Sequence, residues 1–240
     1  MVRAGINPKA IFIFYVSILL IQCNEIAQGP VYVEPVNQGE FYCSVEDTVF
    51  GIDVSHHNGV IDWEKLKREH PEVEFAYIRC TVGPNSVDRH YKRNVQGAQN
   101  VGIKTGAYVY YWANWNSSEQ FKNFKTHVLM AEHELIPVLD IEKSSKHGEV
   151  NLRRGLANWM DLVEKEYNIK PALYTNLGYY NKYLSGYFND CPKWIAAYSR
   201  CPSMVDWDIH QYSDKGNLRG ISGNVDLNYA ERENFDLWIK

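Results

Sequence analysis

The chain has 240 residues, of which 45% are hydrophobic and 22% charged, a mix that excludes an intrinsically disordered chain. The formal net charge of −4 lacks the basic excess of a general nucleic-acid binder. Aromatic content is 14%, with 17 Tyr and 7 Trp, and so many apolar plates with polar handles predict a wet stacking surface as well as a core.

Residues 1–24 carry the parts of an export signal: Arg3 and Lys9 in front, the apolar run from Ala10 to Ile21, and no acidic residue before Glu25. The run falls short of the roughly 20 residues that span a bilayer, so no stable membrane span is expected in the mature chain. The product is expected to be secreted or to enter the periplasm or cell envelope. Cys23 and Ala27 are both imperfect cleavage positions, and the poor box Leu20 to Cys23 leaves a lipid anchor at Cys23 as the less favoured alternative. Removing residues 1–24 takes away two basic residues and no acid, so the charge falls from −4 to −6.

Cys43, Cys80, Cys191 and Cys201 remain, and four cysteines allow three connectivities. A strand over Trp194 to Tyr198 would hold Cys191 and Cys201 beyond the roughly 7 Å that a bridge allows; the pairing is otherwise open. Residues 25–49, with Gly29, Pro30, Pro35 and Gly39, read as an arm or linker, and residues 50–240 as one domain.

From Val49 short apolar runs alternate with amphipathic stretches. Phe50 to Val54 reads as a strand, and Asp62 caps a helix to Glu69. Phe75 to Cys80 is a strand, Tyr91 to Asn100 a helix, and Lys104 to Trp112 a strand. Ser117 or Ser118 caps a helix to Glu132. Ile136 to Glu142 is a strand, Val150 to Tyr167 a long helix, Pro171 to Thr175 a strand, and Gly178 to Leu184 helical. Strands over Trp194–Tyr198, Trp207–Tyr212 and Val225–Asn228 follow with little helix between them. Repeated strand–helix–strand units predict right-handed crossovers and a parallel sheet. Eight strands and about five helices point to an α/β fold, an irregular TIM-like β/α barrel; an open doubly wound sheet is the rival. No glycine-rich phosphate loop follows any strand, which weakens the nucleotide-binding versions.

In parallel α/β folds the site lies at the carboxyl ends of the strands. Asp53 ends the first strand, Asp140 and Glu142 end the fourth, and Asp226 lies in the last. Positions two apart on a strand share a face, so Val138, Asp140 and Glu142 face the interior while Leu139 and Ile141 face the helices. Crowded carboxyls cannot all ionise cheaply, and a protonated acid beside an ionised partner suits glycoside hydrolysis. Tyr108, Tyr110 and Trp112 alternate along one strand, and Tyr174, Trp194, Tyr198 and Tyr212 lie at or near other strand ends, where rings can stack on sugar C–H faces. Gln211 and Asn228 are candidates for binding hydroxyl or amide groups. His56-His57 lacks a metal-ligand spacing and Cys80 lacks a Cys/His constellation, so no metal and no cofactor is expected, and Cys80 reads as a buried structural thiol.

The ordered motifs resemble glycoside hydrolase family 25, the Chalaropsis-type lysozymes. The resemblance rests on Gly51-Ile-Asp-Val-Ser55, Ile61-Asp-Trp63, Phe75-Ala-Tyr-Ile-Arg79, Gly106-Ala-Tyr108 and Pro137-Val-Leu-Asp-Ile-Glu142. It continues through Ala172-Leu-Tyr-Thr-Asn176, Trp194-Ile-Ala-Ala-Tyr198, His210-Gln-Tyr-Ser213 and Val225-Asp-Leu-Asn228. It implies a barrel of eight strands and five helices, and a monomer that cleaves the β-1,4 bond between N-acetylmuramic acid and N-acetylglucosamine in bacterial peptidoglycan. It implies Glu142 as general acid, Asp140 as its close partner, and Asp53 and Asp226 as the other two acids. Retention is implied, with either the substrate's acetamido oxygen or Asp226 as nucleophile; the first is favoured. A chitinase-like hexosaminidase and a non-catalytic wall-binding protein are the alternatives. The chain departs from the usual pattern at Val82, where many members have Glu, at Asn58, where many have Gln, and at Val109, where many have His.

Overall fold

The computed structural model describes Cys43, residues 47–198 and residues 200–240, all within one compact unit that runs from Gln38 to Lys240. The export signal, Cys23 and most of the arm lie outside the described residues.

Among the described residues nine strands form: β1 (Thr48–Val54), β2 (Val73–Val82), β3 (Ser86–Val87), β4 (Lys104–Tyr110), β5 (Val138–Asp140), β6 (Ala172–Asn176), β7 (Lys193–Ala196), β8 (Ile209–Gly216) and β9 (Val225–Glu231). Their order is β1-β9-β8-β7-β6-β5-β4-β2-β3, and a further β1–β2 pairing closes eight of them into a barrel. The two-residue β3 pairs antiparallel on β2 as a side ribbon. The predicted closed barrel therefore holds and the open sheet does not.

One strand departs from the parallel reading. β9 runs antiparallel to both β8 and β1, whereas β1, β2, β4, β5, β6, β7 and β8 pair in parallel. The connection between β8 and β9 carries no helix, and a parallel crossover needs a dozen or more residues. Residues 217–224 can only turn the chain back.

The helices are α1 (Trp63–Glu69), α2 (Tyr91–Asn100), α3 (Ser117–His127), α4 (Gly148–Tyr167), α5 (Leu177–Tyr179) and α6 (Arg232–Asp236). Asp62 caps α1 as expected, its Oδ1 accepting from the Lys65 amide at 3.0 Å. The α3 cap is Asn116, not Ser117 or Ser118: its Oδ1 accepts from the Ser118 amide at 2.8 Å and the Glu119 amide at 3.2 Å. α3 stops at His127 because Val128 is extended, at φ −67° and ψ 135°; only a 3-10 turn at Met130–Glu132 survives of the predicted remainder. The predicted helix over Gly178 to Leu184 divides into α5 and a π turn at Tyr180–Leu184.

Alternation along the strands sorts side chains into two cores. Ile52, Val54, Leu139 and Ile141 face the helices with Phe124, Leu156 and Trp159. Phe75, Tyr77, Tyr108, Val138, Tyr174 and Trp194 fill the barrel itself, closed at its lower end by Phe235 and Trp238. Glycines make room for those rings: a Cβ on Gly106 would lie 2.2 Å from the Tyr77 ring, and one on Gly51 would lie 2.4 Å from Phe75. The tryptophan excess is thus mostly core. Trp63, Trp159, Trp194 and Trp238 are buried, and the exposed ones are Trp112 and Trp115.

A disulfide joins Cys43 to Cys201, with Cα atoms 5.2 Å apart at a sequence separation of 158. It ties the segment before β1 to the loop between β7 and β8. Cys80 and Cys191 are free and buried, and burial pushes the Cys80 thiol up, which makes it inert as a nucleophile. Among the described residues, no helix is long and apolar enough to cross a membrane.

Candidate active site

All four predicted acids meet at the carboxyl end of the parallel strands, around a cavity of about 310 Å³. Asp53 is the inward residue between the outward Ile52 and Val54 of β1. Asp226 stands directly opposite it in the β1–β9 register. Because β9 is reversed, the start of that strand, not its end, reaches the mouth. Asp140 ends β5, and Glu142 follows two residues later on the same face.

Below this ring a buried amide layer holds Asp53. Its Oδ2 accepts from Gln211 Nε2 at 2.8 Å and from Asn228 Nδ2 at 2.9 Å. Gln211 Oε1 in turn accepts from the hydroxyls of Tyr174 and Tyr198, each at 2.8 Å, and Asn228 Oδ1 accepts from the Trp194 indole at 2.8 Å. Gln211 and Asn228 were expected to bind substrate, but they are buried and do not line the cavity. Their side-chain amides donate to Asp53 and fix the place of its carboxyl. We expect Asn228→Ala to lower kcat at least about tenfold with little change in KM, because it leaves a buried carboxyl short of a donor; steady-state kinetics check this.

The aromatics divide. Tyr108, Tyr110, Tyr174 and Trp194 line the cavity, Trp194 as a buried wall. Tyr198 is exposed and reaches the site only through Gln211. Trp112 is also exposed and lines a neighbouring hollow. Arg79, in the sequence only the last residue of the Phe75-Ala-Tyr-Ile-Arg79 motif, lines the cavity together with the acids. The signal was available: a charged residue on the inward face of an otherwise apolar strand, in step with Phe75 and Tyr77. Asp88 holds it, with Oδ2 3.1 Å from Arg79 Nε and 3.0 Å from its terminal nitrogen. His56 is bound to the same carboxylate at 2.9 Å. Ser55, His57, Asn58 and Asn224 complete the rim, and Asn58 Nδ2 donates to the Asn224 carbonyl at 3.1 Å across it.

Crowding shifts the acids upward. Desolvation pushes Asp140 well above the usual carboxylate range; the charges of Glu142 and Asp53 push the same way, and Arg79 opposes them. Desolvation also raises Asp226, helped by the charge of Asp53, and raises Asp53 itself against the pull of Asn228 and Gln211. The two carboxyls stand opposite each other in the β1–β9 register, so ionising one raises the other further. Glu142 is exposed at the mouth, but desolvation of its carboxyl raises it too, while a hydrogen bond from Tyr110 and the charge of Lys143 hold it down.

The sign of the stability effect follows. A carboxyl raised in the folded state holds a proton that the unfolded chain releases, so its contribution is full below the unfolded value and is lost as pH rises through the folded one. We expect Asp226→Asn to raise Tm at pH 8 by roughly 2–6 °C and to leave it nearly unchanged at pH 4. Thermal melts at the two pH values check it; an equal shift at both would contradict the pair.

The family model described as Glycosyl hydrolases family 25 matches residues 52–221. The chain belongs to this family. It is therefore a glycoside hydrolase, with the acid-bearing strand of β5 inside the matched span. Asp226 lies just beyond that span, and its place among the acids rests on the β1–β9 register. Among its relatives is the protein YegX of Escherichia coli K12, described as uncharacterized; it is 35% identical over 187 residues, covering 75% of this chain and 69% of that one. An autolytic lysozyme of Clostridium acetobutylicum is 32% identical over 180 residues, covering 74% of this chain and 54% of that one. In fold, the chain is similar to a family 25 glycosyl hydrolase from Bacillus anthracis, with a TM-score of 0.74 at 24% identity, covering 86% of this chain and all of that one.

Proposed function

We propose that the chain is an exported lysozyme, acting as a monomer, that hydrolyses the β-1,4 bond between N-acetylmuramic acid and N-acetylglucosamine in peptidoglycan, with retention and with the substrate's acetamido group as nucleophile. The family and the relative whose name is autolytic lysozyme support the substrate. The Cys43–Cys201 bridge supports export, since such bonds persist in oxidising compartments.

One observation carries the mechanism. Asp140 Oδ1 is buried at the cavity wall and has no hydrogen-bond partner among the described residues. A buried acceptor left open costs free energy unless a ligand supplies a donor, and the acetamido N–H of the sugar beside Glu142 is such a donor. Glu142 gives its proton to the glycosidic oxygen as the C1–O bond breaks. The acetamido carbonyl oxygen then bonds to C1 and forms an oxazolinium ring, whose N–H, more acidic than in the amide, is held by Asp140 Oδ1. Water next attacks C1 from the vacated side, passes its proton to Glu142, and reopens the ring. The Asp53–Asp226 pair, sharing a proton, adds a single negative charge that stabilises the oxocarbenium-like transition state without forcing four charges into one mouth.

Mass spectrometry of the muropeptides released, with NMR of the first anomer formed, tests this reading. Reducing-end N-acetylmuramic acid in the β anomer is expected, with chitin left uncut. Release of the α anomer first would overturn retention. A glycosyl adduct trapped on Asp226 would overturn the acetamido route.

A further inference from the structure

A second hollow, of about 540 Å³, opens beside the catalytic cavity. The two share His57, Arg79 and Tyr110 as walls, so they form one continuous depression. Glu142 belongs to the first and the next residue, Lys143, to the second.

The chemistry of the second hollow differs from that of the first. Its apolar wall is Val82 on β2, Val87 on the β3 ribbon, and the exposed ring of Trp112. Its cation is Lys143, exposed, 6.0 Å from the centre of the Tyr110 ring, and absent from the ion pairs formed among the described residues. Its one carboxylate, Asp88, is turned inward with 1% of its side chain exposed. Both Asp88 oxygens are occupied: Oδ1 accepts from the His90 amide at 2.9 Å, and Oδ2 accepts from Arg79 and the His56 amide. The hollow therefore offers small apolar contacts and a positive charge held in no ion pair among the described residues, and its own negative charge is spent. That is complementary to a short acidic peptide with small side chains, whereas a bare muramyl glycan offers only its acetamido and lactyl methyl groups and a single lactyl carboxylate close to each muramyl ring.

We infer that this hollow binds the acidic peptide branch carried by the muramyl sugar, and that Lys143 and the Val82–Val87–Trp112 wall select peptide-bearing over bare glycan strands. The inference rests on the muramidase reading. The sugar whose anomeric carbon reacts beside Glu142 is the one that bears the branch, and the shared walls give that branch a path out of the cavity. Lys143 pairs with the branch carboxylates, and the two valines take its methyl groups.

The test uses the mature enzyme on soluble uncross-linked glycan strands, with stem peptides intact or removed by an amidase. Release of reducing ends is measured as kcat/KM for each. The wild type is expected to favour intact strands by about tenfold or more. Val87→Glu, at a position 42% exposed and so tolerant of change, is expected to erase most of that preference by slowing only the intact substrate. Lys143→Ala is expected to act in the same direction. Its effect on the neighbouring acid Glu142 cancels in the ratio of the two substrates, and it carries the test by itself if Val87→Glu misfolds. Equal wild-type rates on the two substrates, or variants that slow both in proportion, overturn the inference and leave the muramidase reading standing. Failure to cut either strand overturns both.

Discussion

Glu142→Gln is expected to cut wall lysis by at least about 100-fold, the lower end of what a general acid contributes, while leaving Tm within about 2 °C of wild type. Gln keeps the size of the side chain and can still accept from Tyr110, but it has no proton to give the leaving oxygen. Glu142 is exposed at the mouth and carries none of the barrel's packing, so the fold loses nothing by the change. Binding of wall fragments should persist, because the rings and the second hollow are untouched. Turbidity loss of a cell-wall suspension, a melt and a pull-down on insoluble wall read the three quantities. A variant that keeps more than about a tenth of the activity would sink the assignment of Glu142.

The second large effect concerns the bridge. Cys43→Ser together with Cys201→Ser is expected to lower stability by about 2–4 kcal/mol, or roughly 5–15 °C in Tm. The closed loop is long, its cysteines separated by 158 in sequence, and chain entropy lost from the unfolded state grows with loop length. The bridge also fixes Cys43, whose amide donates to the Tyr229 hydroxyl at 2.8 Å. Tyr229 sits on β9, the strand that carries Asp226 and Asn228. Reduction of the wild type should reproduce the loss seen in the double variant, and identical melts with and without reductant would contradict it.

Much of this could be read in the sequence because alternation is a local property. Leu139-Asp-Ile-Glu142 states which residues face the helices and which face the mouth, and the structure keeps that division. The acids were legible for the same reason: a carboxylate at the end of an apolar strand stands out. Partnership was not. Gln211 and Asn228 are hydroxyl-binding residue types, and nothing in their neighbourhood says that Asp53, over 150 positions earlier, takes their donors. The tryptophans misled in the opposite direction. Composition suggested a sugar surface, but a ring on an inward strand position fills the barrel just as well, and four of the seven are buried. The α3 cap falls one residue before Ser117 and two before Ser118 because Asn, Ser and Ser in a row are all good caps, and only backbone geometry chooses among them.

The reversed strand β9 has a consequence for how the enzyme is made. The bond from Asn228 to Asp53 spans 175 positions, and the Asp53–Asp226 register forms only when β9 slots between β1 and β8. Contacts of such long range are the slowest to form. A chain that emerges amino-terminus first therefore carries three of its acids with no partner for Asp53 until its final fifth is delivered. A nascent or truncated chain that stops before β9 holds neither Asp226 nor the Asn228 donor to Asp53, so it is expected to stay inactive until its last strand is in place.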